Sequence, residues 1–459
     1  MPNKNSLLKF ILLVGDVILM YSALLLSLGI RYGDFSFLPG PQTKIFLFHF
    51  SFIHVFWLLF LFALDFYEVS ILRRISDFYR NLIVFFVMAS ATGIAYFYLV
   101  PELTISPKTI LVADILIFVI LFCVWRYCFS RILVAPYLKE RIVIIGFRPE
   151  LGELLRHYLS RNGYEIVAFF NPNSSLSNEL ISFSNLAKWG IISDISRLKE
   201  IIEKEGINSI IFASDPHKNG EMIQEIFTGL PLKLNYISFD SFYENLTKKV
   251  PTEAIDKVWF LENLSRPERK IDQAFKRVFD ILFSFLGLLI TVILFPFVAL
   301  ATELDSPGFI FYSQRRVGKD GKNFTLYKFR TMKADAEKTG PQWALPNDPR
   351  ITRVGRILRA IHVDEFPQFY NIFKGDISFV GPRPERPEFV DELKKEIPYY
   401  EIRHLIKPGF TGWAQINYKY SASVEEAKEK LRYELYYIKN RSFLLDLGII
   451  LKTIRIILR

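Results

Sequence analysis

Ile281-Leu-Phe-Ser-Phe-Leu-Gly-Leu-Leu-Ile-Thr-Val-Ile-Leu-Phe-Pro296-Phe-Val-Ala-Leu-Ala301 is a run of twenty-one residues without a charge. It is long enough to cross a bilayer, whose apolar core takes ~20 helical residues. Its flanks argue otherwise. Arg266, Arg269, Lys270, Lys276 and Arg277 precede it, and Arg315, Arg316, Lys319 and Lys322 follow it. Positive charge is retained on the cytoplasmic side, so both ends belong there. A re-entrant, hairpin-like helix over about residues 275–303 satisfies that requirement, whereas a fifth span would put everything after it on the other side. Pro296 supplies the bend, because it removes a backbone hydrogen bond inside the helix.

Upstream lie four more apolar runs, roughly Leu7–Ile30, Ile45–Phe66, Leu82–Val100 and Ile110–Val134. The first is too long for a signal peptide and lacks a small-residue cleavage site. Lys4 and Lys9 precede the first run, and Arg73, Arg74 and Arg80 separate the second and third. Arg126, Arg131, Lys139 and Arg141 mark the end of the fourth, while the loop before it carries only Lys108. Arg31 and Lys44 weaken this contrast without reversing it. Residues 1–136 therefore read as a four-helix transmembrane bundle with both ends in the cytoplasm. Asp16 and Asp114 fall inside spans, where an ionisable residue is a functional candidate by default. The plainer reading pairs each with a polar neighbour inside the bundle, and two isolated acids make no transport path.

Composition agrees with a membrane protein of two or three domains. Of 459 residues, 51% are hydrophobic and 16% aromatic, and the net charge is +10. Beside long apolar blocks, that charge points to anionic lipid and phosphate substrates rather than nucleic acid. Cys123 and Cys128 are five apart in one apolar run, the wrong spacing for a shared helix face, so neither a disulfide nor a metal site is expected.

From Arg141 the pattern changes. Strands over Arg141–Gly146, Glu165–Phe170, Ser209–Ala213 and Leu232–Phe239 alternate with helices over Leu151–Arg161, Ile195–Glu205 and near Met222–Phe227. Such alternation predicts a Rossmann-like parallel sheet over residues 137–262. The turn after the first strand, Gly146-Phe-Arg-Pro-Glu-Leu-Gly152, keeps only the first glycine of a dinucleotide fingerprint. Phe147 and Arg148 bring bulk where a pyrophosphate needs close backbone approach. No nicotinamide cofactor is expected, and a regulatory or dimerising module is the better reading. Lys257–Lys270, with Pro267, reads as a linker into a C-terminal α+β domain over residues 263–459.

That domain holds an adjacent acid pair, Asp364-Glu365, between Arg359 and Arg383. Pro367 suits the first turn of a short helix and Gly375 its far end. The acids then sit at the positive end of the helix, which favours ionised carboxylates. An acid pair at a helix start is common for that reason alone, so company decides. Gln314, Lys328 and Arg330 lie on a predicted ribbon nearby; each taken singly is equally well a solvated strand residue.

The company is extensive. Lys276-Arg277-Val-Phe-Asp280, Ser306-Pro-Gly308, Lys328-Phe-Arg-Thr-Met332, Val363-Asp-Glu-Phe-Pro-Gln368, Gly375-Asp-Ile-Ser-Phe-Val-Gly-Pro-Arg-Pro384 and Lys407-Pro-Gly-Phe-Thr-Gly-Trp-Ala-Gln415 occur in that order. In this the chain resembles the bacterial sugar transferase family, monotopic polyprenyl-phosphate glycosyl-1-phosphate transferases that initiate exopolysaccharide, capsule or O-antigen synthesis. The four spans and Rossmann-like middle resemble the family's large members.

The resemblance implies transfer of a sugar-1-phosphate from a UDP-sugar to undecaprenyl phosphate at the cytoplasmic face of a bacterial inner membrane, releasing UMP. It implies that Asp364 attacks the sugar-proximal phosphorus and carries the phospho-sugar. Mg²⁺, held partly by Asp364, would neutralise the diphosphate. Glu365 would assist or position the second attack, and Arg359 and Arg383 would clamp phosphoryl charge. Lys328, Arg330, Gln314 and Lys419 would contact substrate. Membrane lipids and a second copy of the chain are the other implied partners.

Five positions depart from the family pattern. Phe295 stands where Ser precedes the proline, His362 where Thr or Ser precedes the acids, and Asn417-Tyr418-Lys419 where Asn-Gly-Arg is usual. Glu434 replaces an Asp. The C-terminal stretch reads as two helices, Val424–Asn440 and Leu444–Leu458, the second suited either to the membrane interface or to packing on the core. Two rivals are a membrane-anchored nucleotide-sugar dehydratase and a non-catalytic scaffold. The first needs an intact glycine turn and a Tyr-x-x-x-Lys pair, found only at Tyr370 and Lys374, inside the acid-pair motif. The second has no need of the acids and arginines that this chain keeps.

Overall fold

The computed structural model describes residues 4–33, 41–67, 75–100, 108–134, 140–159, 163–171, 187–194, 197–213, 234–251, 257–264, 270–333, 336, 348–418 and 423–457. The chain divides into two compact units, Met1–Thr247 and Lys248–Arg459.

The first unit opens with four apolar helices, α1 (Lys4–Tyr32), α2 (Pro41–Ala63), α3 (Ile75–Leu99) and α4 (Lys108–Val134). Each is long and apolar enough to cross a membrane. α4 packs on α1 and α3, and α2 on α3 and α1. Leu24, Phe50, Trp57, Phe85, Phe118 and Phe122 fill the space between them. Their outer faces are apolar too, with Ile18, Phe48, Ile83, Val87 and Ile120 exposed. Helices that are apolar all round need a non-aqueous solvent.

Asp16 and Asp114 both have partners. Arg126 Nη2 donates to Asp16 Oδ2 at 2.5 Å, joining α4 to α1. His54 Nε2 lies 3.2 Å from Asp114 Oδ2, joining α2 to α4. All four side chains are buried. A buried pair is worth little over an apolar substitute, but half a pair is costly. Asp16→Leu or Arg126→Leu alone should therefore lower stability by roughly 3–5 kcal/mol, read as the unfolding midpoint in detergent, and the double variant should recover most of it. A double variant no more stable than the worse single one would refute the pairing.

The same unit carries a five-stranded parallel sheet. Its order is β3 (Ile191–Ile192), β2 (Tyr164–Phe170), β1 (Glu140–Ile145), β4 (Ser209–Phe212), β5 (Asn235–Ser238). Ile142 and Ile144 face Leu151 and Leu154 of α5 (Leu151–His157) and Tyr243 of α7 (Phe239–Thr247). Val143 and Ile145 face Leu198, Ile201 and Ile202 of α6 (Leu198–Glu205) on the other side. Helices on both faces explain why the strands read as continuous apolar runs. The two residues of β3 are too few to show a period, and α7 begins directly at the end of β5, so neither stands out in the sequence. The helix expected near Met222–Phe227 lies outside the described residues. Where a dinucleotide fold receives pyrophosphate, Arg148 bridges the strand ends instead. It donates to Ala213 O at 2.9 Å and to Asp240 Oδ1 at 2.6 Å.

The second unit includes residues that the sequence reading assigns to the middle segment. Trp413 Nε1 donates to Lys248 O at 2.9 Å, and Trp259 of α8 (Lys257–Leu264) lies in the main core of this unit. Then comes α9 (Lys270–Asp305), one helix of 36 residues that runs on through Pro296. The expected hairpin-like form is not observed: helix continues on both sides of the proline and beyond both expected ends. Asp280, Ser284, Gly287, Thr291, Val298 and Thr302 are buried along one face, at steps of three, four or seven residues that keep to one side of a helix. Val278, Leu282, Val292, Ile293, Phe297 and Leu304 are exposed on the others. Both ends of α9 are tied to this one unit. Lys276 Nζ donates to Val380 O at 3.0 Å, and Asp305 Oδ2 accepts from Val354 N at 2.8 Å.

An antiparallel hairpin follows, β6 (Phe311–Val317) with β7 (Asn323–Phe329), then α10 (Arg353–Ala360), a short turn of 3-10 helix at Val363–Glu365, and α11 (Gln368–Lys374). β8 (Ser378–Val380) pairs in parallel with β9 (Gly409–Thr411). Around them pack α12 (Pro387–Glu396), α13 (Trp413–Asn417), α14 (Val424–Asn440) and α15 (Phe443–Ile457). α15 packs on the core: Ile449 is fully buried, and Asp446 accepts from Lys276 and from the Tyr437 hydroxyl at 2.6 Å. Toward its C-terminal end Ile454 and Ile456 are exposed.

Candidate active site

The site is set by how the chain enters α11. Pro367 stands just before the first helical residue and Gly375, at φ 96°, just after the last, as the sequence predicts. His362 takes a left-handed backbone, φ 58°, which costs a non-glycine residue on the order of 1 kcal/mol. It turns the chain from α10 into the 3-10 segment that carries Asp364 and Glu365. α10 is itself held at its start by two acceptors: the Thr352 hydroxyl takes the Gly355 N–H at 2.9 Å, and Asp305 takes that of Val354. The end of the long apolar helix thus fixes the helix that delivers Arg359.

The hairpin supplies the opposing charge. Asn371, fully buried on α11, clamps the edge of β7: its Nδ2 donates to Thr325 O at 2.7 Å, and its Oδ1 accepts from Tyr327 N at 3.2 Å. Lys328 then reaches Glu365 Oε1 at 2.6 Å, and Arg383 Nη2 reaches the same oxygen at 2.9 Å. Burial pushes the Glu365 carboxyl up, but the ammonium and guanidinium outweigh it and hold the group well below the usual carboxylate range.

Asp364 is different. It is buried, and among the described residues no side chain hydrogen-bonds or ion-pairs with its carboxylate. Burial raises its affinity for a proton, partly countered by the fields of Lys328, Arg359 and His362 and increased by that of Glu365. Adjacent carboxyls are pushed in opposite directions, one clamped and one open.

A second layer holds the Gly381-Pro-Arg-Pro384 turn. Buried Arg403 donates to Arg383 O at 2.9 Å and to Glu434 Oε1 at 2.8 Å. Arg316 donates to Pro384 O at 3.0 Å. Glu385 sits between Arg316 and Lys430 Nζ, the latter at 2.5 Å. Despite burial, these cations and Arg403 draw its carboxyl down to about 2. Arg316 and Arg403 were not among the expected site residues; nothing in their local sequence marks them. Glu434 is the departure from Asp, and the arginine it engages is the one holding Arg383.

The other expected residues divide. Arg359 Nε donates to Thr331 Oγ1 at 2.8 Å with its charge near Asp364. Arg330 is turned away from the acids onto the carbonyls of Ser306 and Pro307. Gly308, at φ 133°, leaves the room its guanidinium occupies. Gln314 shares a ribbon face with Tyr312 and Lys328 and donates to the Tyr312 hydroxyl at 2.7 Å. Lys419 lies outside the described residues. Phe295 stacks on Phe311, and Phe311 on Phe329, at 5.5 and 5.4 Å, so the residue in place of serine anchors α9 to the strand of Lys328. Lys374 of the rival Tyr370–Lys374 pair is bound to Asp376 at 3.1 Å.

No group of three or more His, Cys, Asp or Glu among the described residues is arranged to hold a metal ion. The open Asp364 carboxylate nevertheless suits Mg²⁺, which commonly binds through one or two carboxylates together with substrate phosphates.

Comparison with known proteins supplies the class. The family model described as bacterial sugar transferase matches residues 271–459. A UDP-N-acetylgalactosamine-undecaprenyl-phosphate N-acetylgalactosaminephosphotransferase of Aeromonas hydrophila is 44% identical over 183 residues, 40% of this chain and 43% of that protein. A UDP-glucose:undecaprenyl-phosphate glucose-1-phosphate transferase of Klebsiella pneumoniae is 31% identical over 322 residues, 69% of this chain and 68% of the relative. The exopolysaccharide production protein PSS of Rhizobium leguminosarum bv. phaseoli is 40% identical over 193 residues, covering 40% of this chain and 95% of the relative. The chain belongs to the bacterial sugar transferase family. It spans less than half the length of the Aeromonas relative.

Opposite shifts predict opposite stability effects. Glu365 titrates lower folded than unfolded, so its contribution is present at neutral pH and is lost as pH falls below the ordinary Glu value of ~4.3. Glu365→Gln should lower the unfolding midpoint at pH 7 by roughly 3–5 kcal/mol equivalent, with the gap closing in acid. Asp364 titrates higher folded than unfolded, so its charge opposes folding at neutral pH and Asp364→Asn should raise the midpoint. Shifts of the same sign in both variants would contradict the assignment.

Proposed function

We propose that the chain transfers a sugar-1-phosphate from a UDP-sugar to undecaprenyl phosphate, giving undecaprenyl-diphospho-sugar and UMP, as the first membrane step of surface polysaccharide synthesis. The observation that carries the reading is the asymmetry of the acid pair, within a family whose similar members bear transferase names of this kind. A carboxylate that is buried, open and of raised basicity is a suitable nucleophile toward phosphorus.

Asp364 attacks the sugar-proximal phosphorus of the donor. A bond forms from its oxygen to phosphorus, and the bond from that phosphorus to the bridging oxygen breaks, with UMP leaving with the electron pair. An oxygen of undecaprenyl phosphate then attacks the same phosphorus, the Asp364–phosphorus bond breaks, and the carboxylate is regenerated. Arg359 and Arg383 face the phosphoryl charge as bidentate donors. Glu365, paired with Lys328, keeps Arg383 and Lys328 in register and stays ionised throughout. Mg²⁺ held partly by Asp364 would supply neutralisation of the donor diphosphate. Arg330 would serve this pocket by holding the Ser306–Gly308 turn, and Gln314 and Lys419 remain candidate substrate contacts.

The same unit supports a membrane arrangement. α9 meets the unit at both ends and along one face, while its other faces are apolar and exposed. Phe309, after the turn that follows α9, and Ile357 and Ile361, at the end of α10 before the acid pair, are exposed as well. A monotopic placement, with α9 in one leaflet and the acids at headgroup level on the cytoplasmic face of the inner membrane, brings a soluble donor and a lipid acceptor to one site. The four N-terminal helices then span the bilayer with both ends inside, and the Rossmann-like sheet serves regulation or dimerisation.

Purified protein with Mg²⁺, undecaprenyl phosphate and a panel of UDP-sugars should release UMP with one or a few of the sugars. Asp364→Asn should reduce release at least ~10⁴-fold, the scale on which loss of a nucleophile acts; turnover equal to wild type would refute the mechanism. Because burial raises the Asp364 carboxyl, the acid limb of kcat/KM should lie above the ordinary Asp range of ~3.9. A limb at or below it would place the essential acid elsewhere.

A further inference from the structure

Two cations, Arg277 and Lys407, meet at the far end of α11. Arg277, near the start of α9, donates through Nη1 to Ile372 O at 2.8 Å and through Nη2 to Phe373 O at 2.7 Å. It thereby caps the last carbonyls of α11. Lys407 approaches from the loop before β9. Arg277 Nη2 and Lys407 Nζ each lie 3.3 Å from the point that a Cβ on Gly375 would occupy. They are therefore at most twice that distance apart, on either side of a niche that glycine leaves open.

Among the described residues, the Lys407 ammonium makes no hydrogen bond or ion pair. Burial, the Arg277 charge and Lys319 all disfavour its proton, while Asp280 and Asp376 favour it. Both acids are engaged elsewhere. Asp280 Oδ1 accepts from Ser378 Oγ and Phe379 N, each at 3.1 Å. Asp376 Oδ2 accepts from Lys374 Nζ and Asn371 Nδ2, each at 3.1 Å. Like charges held this close in a half-buried niche call for an anion.

The rim of the niche says what carries that anion. Phe373, whose carbonyl Arg277 caps, is 41% exposed, and Val278, next to Arg277 on α9, is 64% exposed. A soluble phosphate gains nothing from such a rim; a lipid places its phosphate on the cations and its chains along the apolar side chains. We propose that Arg277, Lys407 and the Gly375 niche bind the phosphate of an anionic membrane lipid, at a site separated from the acid pair by the length of α11. The site does not depend on the proposed transfer reaction.

The test uses the full chain in neutral detergent, with retained lipid counted by native mass spectrometry. Wild type should retain phosphatidylglycerol in preference to phosphatidylcholine. Lys407→Gln should lower that retention about five-fold, the scale of one basic contact at a membrane surface, with Lys407→Glu lower still and Lys407→Arg near wild type. Without lipid, Lys407→Gln should melt at or above wild type, since it relieves repulsion from Arg277; a purely structural lysine would lower the midpoint instead. Undecaprenyl phosphate that displaces phosphatidylglycerol would identify the acceptor as the source of the phosphate, and failure to displace it would identify bulk lipid; both keep the site. Equal retention by wild type and Lys407→Glu, or displacement by millimolar inorganic phosphate alone, would overturn it.

Discussion

One carboxylate oxygen organises the catalytic unit. Glu365 Oε1 receives both the Lys328 ammonium and the Arg383 guanidinium, and each partner is delivered by a different part of the fold. Lys328 comes on a strand held against α11 by Asn371, and Arg383 on a turn held by Arg403 and Arg316. Because Glu365 is largely out of water, its loss would leave both cations without their shared anion. The consequence for Asp364 is indirect but decisive. With Lys328 and Arg383 committed to its neighbour, its own carboxylate stays buried and open, which suits the proposed role of meeting phosphorus.

The long apolar helix does more than hold the unit to a membrane. Its C-terminal Asp305 caps α10 and so positions Arg359; its Phe295 stacks through Phe311 onto the strand of Lys328; its Arg277 closes the end of α11. Membrane attachment and site geometry therefore rest on the same thirty-six residues. A helix bound along one face by a single folded unit cannot place that unit on two sides of a bilayer, and this is the physical ground for the proposed monotopic arrangement.

Much of this is legible in the sequence, and the exceptions have identifiable causes. Pro367 and Gly375 delimit α11 because their backbone preferences act locally. The acid pair and its basic company are visible as motifs. Strand-helix alternation reveals the parallel sheet, whose classical switch-point crevice holds Arg148. What local pattern does not carry is direction. Lys328 and Arg330 are two residues apart on one strand motif, yet one points to Glu365 and the other folds back onto Ser306 and Pro307. Nor does sequence spacing show that Arg403 lies under Arg383, twenty residues away. The rule that makes Pro296 a bend is local, whereas α9 runs on through it as one helix.

The central claim is that the two adjacent acids have different tasks, Asp364 carrying the phospho-sugar and Glu365 holding the cations. Its most direct test is to incubate the protein with Mg²⁺ and a turned-over UDP-sugar, without lipid acceptor, and to map the added mass by peptide mass spectrometry. The account predicts a phospho-sugar adduct on Asp364 that disappears when undecaprenyl phosphate is added. An adduct on Glu365, or a full complement of adduct in Asp364→Asn, would contradict it.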